Sequence, residues 1–175
     1  FNITSVGILQ SFILGLIGFI IVKKNVLGEQ GLYALSRLVL EITLPVMIFY
    51  KIIKDFNFET YPNWWIFPLL SVLVTGLGFI LGFICEGFFK EEIKKRQFLG
   101  LLAFQNSGYL PLVLVASLVP AVYLNEMFIY LFLFLLGFNL VMFSWGVHFL
   151  TADKGKKFNW INLLNPPVAA TLIGL

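Results

Sequence analysis

The chain has 175 residues, of which 59% are hydrophobic, 17% aromatic and only 12% charged, and its mean hydropathy is +0.93. About a quarter of the residues of water-soluble domains are charged, so this composition excludes a soluble globular domain. The single cysteine excludes a disulfide framework. The +3 net charge does not indicate nucleic-acid binding, because the basic residues form short clusters between apolar runs.

Five apolar runs are long enough to cross the hydrocarbon core of a bilayer, which needs about 20 helical residues. These predicted spans 1 to 5 are residues 3–22, 31–50, 64–85, 98–119 and 127–150. The gaps between them are too short for an extramembrane domain, so function is expected inside the bundle. A sixth apolar stretch, residues 161–175, is too short to span, and the chain starts with Phe1. We therefore expect a piece of a longer protein.

The basic residues predict the orientation of the spans. Nine of the twelve lie in the stretches after spans 1, 3 and 5, whereas Lys51 and Lys54 lie on the other side and Arg37 lies within span 2. Cytoplasmic loops carry the excess of Lys and Arg. We expect a multi-pass protein of the plasma or bacterial inner membrane, with its N-terminus outside, loop 86–97 in the cytoplasm and loop 51–63 outside.

Span 2 contains two charged residues at membrane depth. Arg37 and Glu41 are one helical turn apart, and Pro45 follows them. Charges inside a membrane are costly and are usually paired. Glu41 is therefore either the structural salt-bridge partner of Arg37 or a proton or cation site in a coupled transporter, and the sequence leaves both interpretations open.

Span 4 is the most informative segment, because FQNSGYLPLVL places Gln105, Asn106, Ser107, Gly108 and Pro111 near its middle. Gly costs about 1 kcal/mol and Pro about 3 kcal/mol in a helix interior. We predict two half-helices with the interruption between Asn106 and Pro111; a proline kink in one helix is the alternative. A broken backbone at this depth is tolerated where it is buried in protein or lines a watery cavity.

Broken helices build substrate sites in secondary transporters, where the positive end of a half-helix points at an anionic group. The expected donors are the Asn106 amide and the backbone N–H groups of residues 109–112, Pro111 excepted. Asn139 in span 5 is either a packing partner of the break or part of the site. No cofactor or metal site is expected, since His148 is the only histidine. The candidate substrate-binding residues are Gln105, Asn106, Ser107, Gly108, Tyr109, Pro111 and Asn139, and the candidate coupling-ion residue is Glu41.

These features are similar, in order and spacing, to the first half of the auxin efflux carrier family, which includes bacterial permeases proposed for malate and related organic acids. The resemblance rests on LEITLPVMIFYKI in span 2, FQNSGYLPLVL in span 4 and LLNPPVAATLIGL near the C-terminus. It implies an all-α membrane protein of two inverted five-helix repeats, like the bile-acid sodium symporter fold. Residues 1–160 would form the first repeat, with spans 1 and 2 as a scaffold and spans 3 to 5, the fourth broken, as a transport core. Residues 161–175 would begin the second repeat.

The resemblance also implies a function. The expected protein is a secondary active transporter, not an enzyme, that carries a small organic anion such as a dicarboxylate by alternating access, with Asn106 and Pro111 where two broken helices cross. Its expected surroundings are the lipid bilayer, and proton or sodium coupling and assembly as a homodimer are options. One alternative is a membrane-embedded sensor or receptor domain with the same fold. An intramembrane enzyme is disfavoured, because no span contains Asp and Ser107 has no histidine near it in sequence.

Overall fold

The computed structural model describes residues 2–88, 90–146 and 164–175, which form helices joined by short turns, with no strand among them. Two short segments, Val39–Thr43 and Met142–Gly146, are π-helical and continue the helices that precede them. The α-helices are α1 (Asn2–Lys23), α2 (Glu29–Leu38), α3 (Leu44–Asp55), α4 (Ile66–Cys85), α5 (Glu92–Ala103), α6 (Tyr109–Leu118), α7 (Ala121–Val141) and α8 (Pro166–Gly174).

Four continuous helical segments of the described chain are long and apolar enough to cross a membrane. They are Ser5–Lys23, Glu29–Asp55, Ile66–Phe88 and Ala121–Ser144. They correspond to predicted spans 1, 2, 3 and 5. Predicted span 4 is instead divided between α5 and α6, of 12 and 10 residues, and neither alone can cross about 30 Å of hydrocarbon.

Two predicted boundaries are wrong at the ends of the spans. Lys51 and Lys54, expected in a loop, lie in the last turns of α3, where long basic side chains can reach the interface. The fifth span begins at Ala121 rather than Met127, directly after Pro120, because the polar residues that follow are helical. Its predicted end at Leu150 lies outside the described residues.

Helix α7 is the centre of the described bundle. It contacts α3, α4, α6 and α8. Its Ile129, Phe132 and Leu133 side chains are fully buried, together with Ile48 and Ile52 of α3. Helix α1, in contrast, contacts α6 and exposes most of its large apolar side chains, as expected where lipid is the solvent.

Glycines set the closest helix contacts around α4. A Cβ on Gly78 would lie 2.6 Å from the Leu102 carbonyl oxygen of α5. A Cβ on Gly137 of α7 would collide with the Pro68 carbonyl and the Ser71 hydroxyl of α4. Small residues at these points let the helix backbones approach closely, as is common between membrane helices. This packing holds α5, which ends at the break, and α7, which contacts α6, on α4.

Candidate functional site

The fourth span is broken, as predicted, but the interruption is shifted toward the N-terminus. Helix α5 ends at Ala103, residues 104–108 are not helical, and α6 begins at Tyr109. Pro111 therefore lies inside α6 rather than in the break. It occupies the first turn of the helix, where a missing N–H costs nothing because that group has no intrahelical partner.

The start of α6 is only loosely capped. Gly108 is the N-cap residue, and the Leu112 N–H donates to its carbonyl at 2.9 Å as the first bond of the helix. Asn106 Oδ1 accepts from the Leu110 N–H at 3.5 Å, which is a long bond, and Ser107 Oγ donates to the Gln105 carbonyl at 3.3 Å. The N–H groups of Gly108 and Tyr109 precede the first helical bond, so they are directed to the region before the helix.

A cavity of about 560 Å³ lies beside the break. Six of the predicted site residues line this cavity, and Asn165, the residue before α8, lines it too. Pro111 is not among its described lining residues, and the side chain of Tyr109 lies outside what the structure describes. The predicted residues that line the cavity are Glu41, Gln105, Asn106, Ser107, Gly108 and Asn139. Phe104, Leu135, Phe138, Met142 and Phe143 form much of the apolar wall.

Glu41 is the one charged residue among the described residues that line this cavity. Both of its carboxylate oxygens accept from Arg37, from Nε at 2.7 Å and from Nη2 at 2.8 Å. The Arg37 guanidinium also lies 5.9 Å from the centre of the Tyr33 ring. The structural salt bridge considered from the sequence is therefore formed in this conformation, and the cavity borders an ion pair rather than an isolated negative charge.

Both π-helical segments contribute residues to the cavity, and sequence reasoning missed them. Val39–Thr43 supplies Leu40 and Glu41, and Met142–Gly146 supplies Met142 and Phe143. A π-helical turn inserts an extra residue into the helical register and is frequent at functional sites. No residue type marks such a turn in the sequence, so the only available signal is the structure itself.

Asn165 is the second unpredicted feature of the site. It caps α8, because its Oδ1 accepts from the Val168 N–H at 3.0 Å. Its Nδ2 is buried and has no hydrogen-bond partner in the described structure. An unsatisfied buried donor costs roughly 1–3 kcal/mol. From the sequence, the resemblance implies only that residues 161–175, which include Asn165, begin a second repeat.

Within the predicted loop 86–97, the charged groups at the start of α5 and just before it form local pairs. Lys94 Nζ lies 2.7 Å from Glu91 Oε1, and Lys95 Nζ lies 2.8 Å from Glu92 Oε1. The hydrogen bond from Lys95 lowers the pKa of Glu92, and the same bond raises the pKa of Lys95. These pairs lie far along α5 from the break and belong to a solvated surface.

The family model described as membrane transport protein matches residues 3–173 of the chain. The chain belongs to this family, the auxin efflux carriers. The resemblance seen in the sequence is thereby confirmed, and with it a multi-pass membrane protein of a transporter family. Membership in a transporter family also argues against the alternative of an intramembrane enzyme.

Two relatives illustrate the match. An uncharacterized transporter of Schizosaccharomyces pombe is 26% identical over 115 residues, which cover 65% of this chain and 25% of that protein. Protein PIN-LIKES 6 of Arabidopsis thaliana is 29% identical over 120 residues, which cover 67% of this chain and 28% of that protein. The chain thus aligns with about a quarter of the length of each relative. No solved structure matches the chain.

Proposed function

We propose that this chain is the first five-helix repeat of a secondary active transporter that carries a small organic anion by alternating access. The observation that carries the proposal is the cavity of about 560 Å³ beside the broken fourth span, where Gln105, Asn106 and Ser107 meet Asn139. Polar side chains and free backbone donors within membrane-spanning helices are costly unless they serve a ligand or an ion. In this proposal residues 161–175 open a second repeat, whose broken helix completes the site.

An anion suits the chemistry of the break. The N–H groups of Gly108 and Tyr109 lie at the positive end of α6, and a helix N-terminus stabilises negative charge. The carboxamides of Gln105 and Asn106 add donors to the same region. Because the surroundings are largely apolar, the attraction is stronger than it would be in water.

The walls of the cavity narrow the choice of anion. Phe104, Phe138 and Phe143 leave much of the lining apolar. A second carboxylate on the substrate would face either these rings or the Glu41 carboxylate. We therefore favour an organic anion with one carboxylate and an apolar body over the dicarboxylate expected from the sequence.

Glu41 is our candidate for proton coupling, because it is the carboxylate that lines the cavity. In the present conformation both of its oxygens accept hydrogen bonds from Arg37. Proton uptake would therefore require the pair to separate in another state of the transport cycle. Coupling to sodium is the alternative to coupling to protons. Assembly as a homodimer is a separate proposal, which transport does not require.

The proposal is tested with the Asn106→Ala variant of the full-length protein in proteoliposomes, using labelled benzoate and succinate. We expect a loss of about a hundredfold in flux, the effect of removing a hydrogen bond to a charged group in a buried site. Melting temperature should change little, since the Asn106 side chain is exposed to the cavity. The matched control is Asn63→Ala, an exposed asparagine between α3 and α4. Unchanged flux in Asn106→Ala would remove the site, and binding without flux would favour the sensor alternative.

Topology is tested by labelling single cysteines in intact cells. Cys85 is first replaced by Ser, because it is the only cysteine. We expect Glu59→Cys to react with an impermeant maleimide from outside, and Lys94→Cys to react only after the membrane is opened. Reaction of Lys94→Cys from outside would reverse the proposed orientation.

A further inference from the structure

Phe104 is the first residue of the break, and its ring packs on two helices. The Phe104 N–H donates to the Gly100 carbonyl at 2.9 Å and closes α5, while its φ of −108° and ψ of 61° leave the helix. Its ring centre lies 5.4 Å from that of Phe79 on α4 and 6.3 Å from that of Phe138 on α7, both edge to face. Phe104 thus packs against two clusters of buried side chains, one around α7 and one between α4 and α5.

Gly146 makes room for this ring at the end of the π-helical segment Met142–Gly146. Gly146 is buried, and its φ lies outside the left-handed region, so its backbone does not require a glycine. A Cβ at Gly146 would collide with Cζ of Phe104 and would lie 2.9 Å from Cε1 and from Cε2. Carbon atoms in contact are normally about 3.5–4.0 Å apart. The tip of the Phe104 ring therefore fills the space that any side chain at Gly146 would need.

The cavity of about 560 Å³ also borders Phe104, which lines it beside Phe138. Phe79 and Phe138 are each only 7% exposed, so closely packed side chains back the ring where it contacts them. A ring that lost its space at Gly146 could not move into these neighbours. It would move into the cavity, which is the open space that it borders.

We propose that Phe104 is a specificity-determining residue of the site and that Gly146 is the positioning residue that keeps its ring out of the cavity. Together the two residues set how large an apolar body the cavity accepts. The inference rests on the proposed function for its ligand class, an organic anion with one carboxylate, and adds a limit on the size of that anion. It concerns the apolar wall of the cavity and not the donors of the break.

The two roles can be separated by substitution. Gly146→Ala adds the colliding Cβ, so the ring should enter the cavity and large ligands should lose affinity. Phe104→Leu shortens the side chain, so the cavity should widen. In the double variant Gly146→Ala/Phe104→Leu, the new methyl group fills the space that the ring tip has left, and wild-type selectivity should return. A general loss of packing does not produce such rescue, because the effects of two independent destabilising changes add.

The experiment measures the Kd of propionate, benzoate and 2-naphthoate, three monocarboxylates of increasing apolar size, for the full-length protein in nanodiscs. Melting temperatures are recorded in parallel. We expect the ratio of the Kd for 2-naphthoate to the Kd for propionate to rise about ten- to a hundredfold in Gly146→Ala, the range for one steric overlap in a packed site. In Phe104→Leu the ratio should fall about three- to tenfold, and in the double variant it should lie within about threefold of the wild type.

Gly82→Ala is the matched control. A Cβ at Gly82 of α4 would collide with the side chain of Leu99 on α5, and neither residue lines the cavity in the described structure. This variant introduces the same kind of overlap away from the cavity. Its Kd ratio should therefore equal that of the wild type, even where its melting temperature falls.

An unchanged Kd ratio in both Gly146→Ala and Phe104→Leu would overturn the inference. A cryo-EM structure of Gly146→Ala with the Phe104 ring at its wild-type position would overturn it independently of any ligand. A shift of the ratio in Gly82→Ala as large as that in Gly146→Ala would do so too, because the effect would then not depend on the cavity wall. A wild-type protein that binds none of the three anions would overturn it as well.

The failure of this inference is distinguishable from the failure of the proposed function. Size selectivity that follows the substitutions, without flux of any of the three anions in proteoliposomes, would remove the transport proposal and leave the roles of Phe104 and Gly146 standing. Flux that Asn106→Ala abolishes, with wild-type Kd ratios in the Phe104 and Gly146 variants, would overturn this inference and leave the transport proposal standing.

Discussion

Helices α4 and α7 pack continuously, whereas α5 and α6 are separated by five non-helical residues and leave a cavity beside the gap. Both regions contain Leu, Phe and Gly, although the start of α5 also carries charged residues. The difference lies in where the glycines fall. Gly137 faces a neighbouring backbone from inside a helix and allows close packing, whereas Gly108 ends a run of polar residues and starts a helix. The position of each glycine relative to its helix therefore distinguishes the region that packs from the region that opens.

The polar side chains also differ between the packed helices α4 and α7 and the broken span. On α4, the Ser71 hydroxyl donates to the Pro68 carbonyl at 2.7 Å, and the Thr75 hydroxyl donates to the Ser71 carbonyl at 2.8 Å. These hydroxyls are buried and satisfied within their own helix. Beside the break, the Asn106 side chain is exposed, and Asn165 Nδ2 is buried without a hydrogen-bond partner among the described residues. Because buried polar groups without partners are costly in a membrane, the second arrangement is expected only where a ligand binds.

The largest expected effect concerns the packed region. Gly137→Val should destabilise the protein by about 3 kcal/mol, because its Cβ would collide with the rigid Pro68 carbonyl. Thermal unfolding in detergent measures the change. The matched control is Gly15→Val on α1, where no heavy atom lies within 4 Å of the added Cβ. Equal destabilisation by both variants would show that close approach at Gly137 is not what holds α7 on α4.

The next effect concerns the cavity wall opposite the break. Asn139→Leu should reduce flux about tenfold, less than Asn106→Ala, because Asn139 lines the cavity but is not part of the broken backbone. Melting temperature should not fall, since Leu suits the surrounding apolar wall. The control is Leu140→Ala, its half-exposed neighbour on α7. A loss of folded protein in Asn139→Leu would show instead that the amide is needed for packing.

The spans and the break were predictable because they depend on local sequence. Hydropathy marks the four continuous helices, and the cluster around Asn106 marks the break. The sequence places the break too late in the chain, because Pro111 resembles part of the gap. Proline is tolerated in the first turn of a helix, and the structure uses it there.

Two parts of the site could not be predicted from the sequence. The π-helical turns that bring Glu41 and Phe143 to the cavity depend on how distant helices pack, and no residue pattern marks them. The presence of Asn165 in the cavity lining depends on where α8 packs in the bundle, which the local sequence does not show.

The smallest expected effect concerns the charged first turn of α5, at the end of that helix away from the break. The hydrogen bond from Lys95 holds the pKa of Glu92 below its ordinary value of 4.5. A carboxyl whose pKa is lowered on folding contributes stability above that ordinary value, and the contribution is lost as pH falls through the folded pKa. Glu92 is exposed, so water and salt screen the pair and its contribution is small.

We therefore expect the Tm of Glu92→Gln to lie within about 1 °C of the wild type at pH 7 and physiological salt. At low salt the small difference should shrink as pH is lowered from about 5 to about 3, because the wild-type carboxylate becomes protonated. Glu91→Gln, which removes the neighbouring pair with Lys94, is the matched control. A Tm loss in Glu92→Gln comparable to that in Gly137→Val would contradict this expectation. It would mean that the ion pair at the start of α5 stabilises the described bundle as much as the glycine contacts of α4 do.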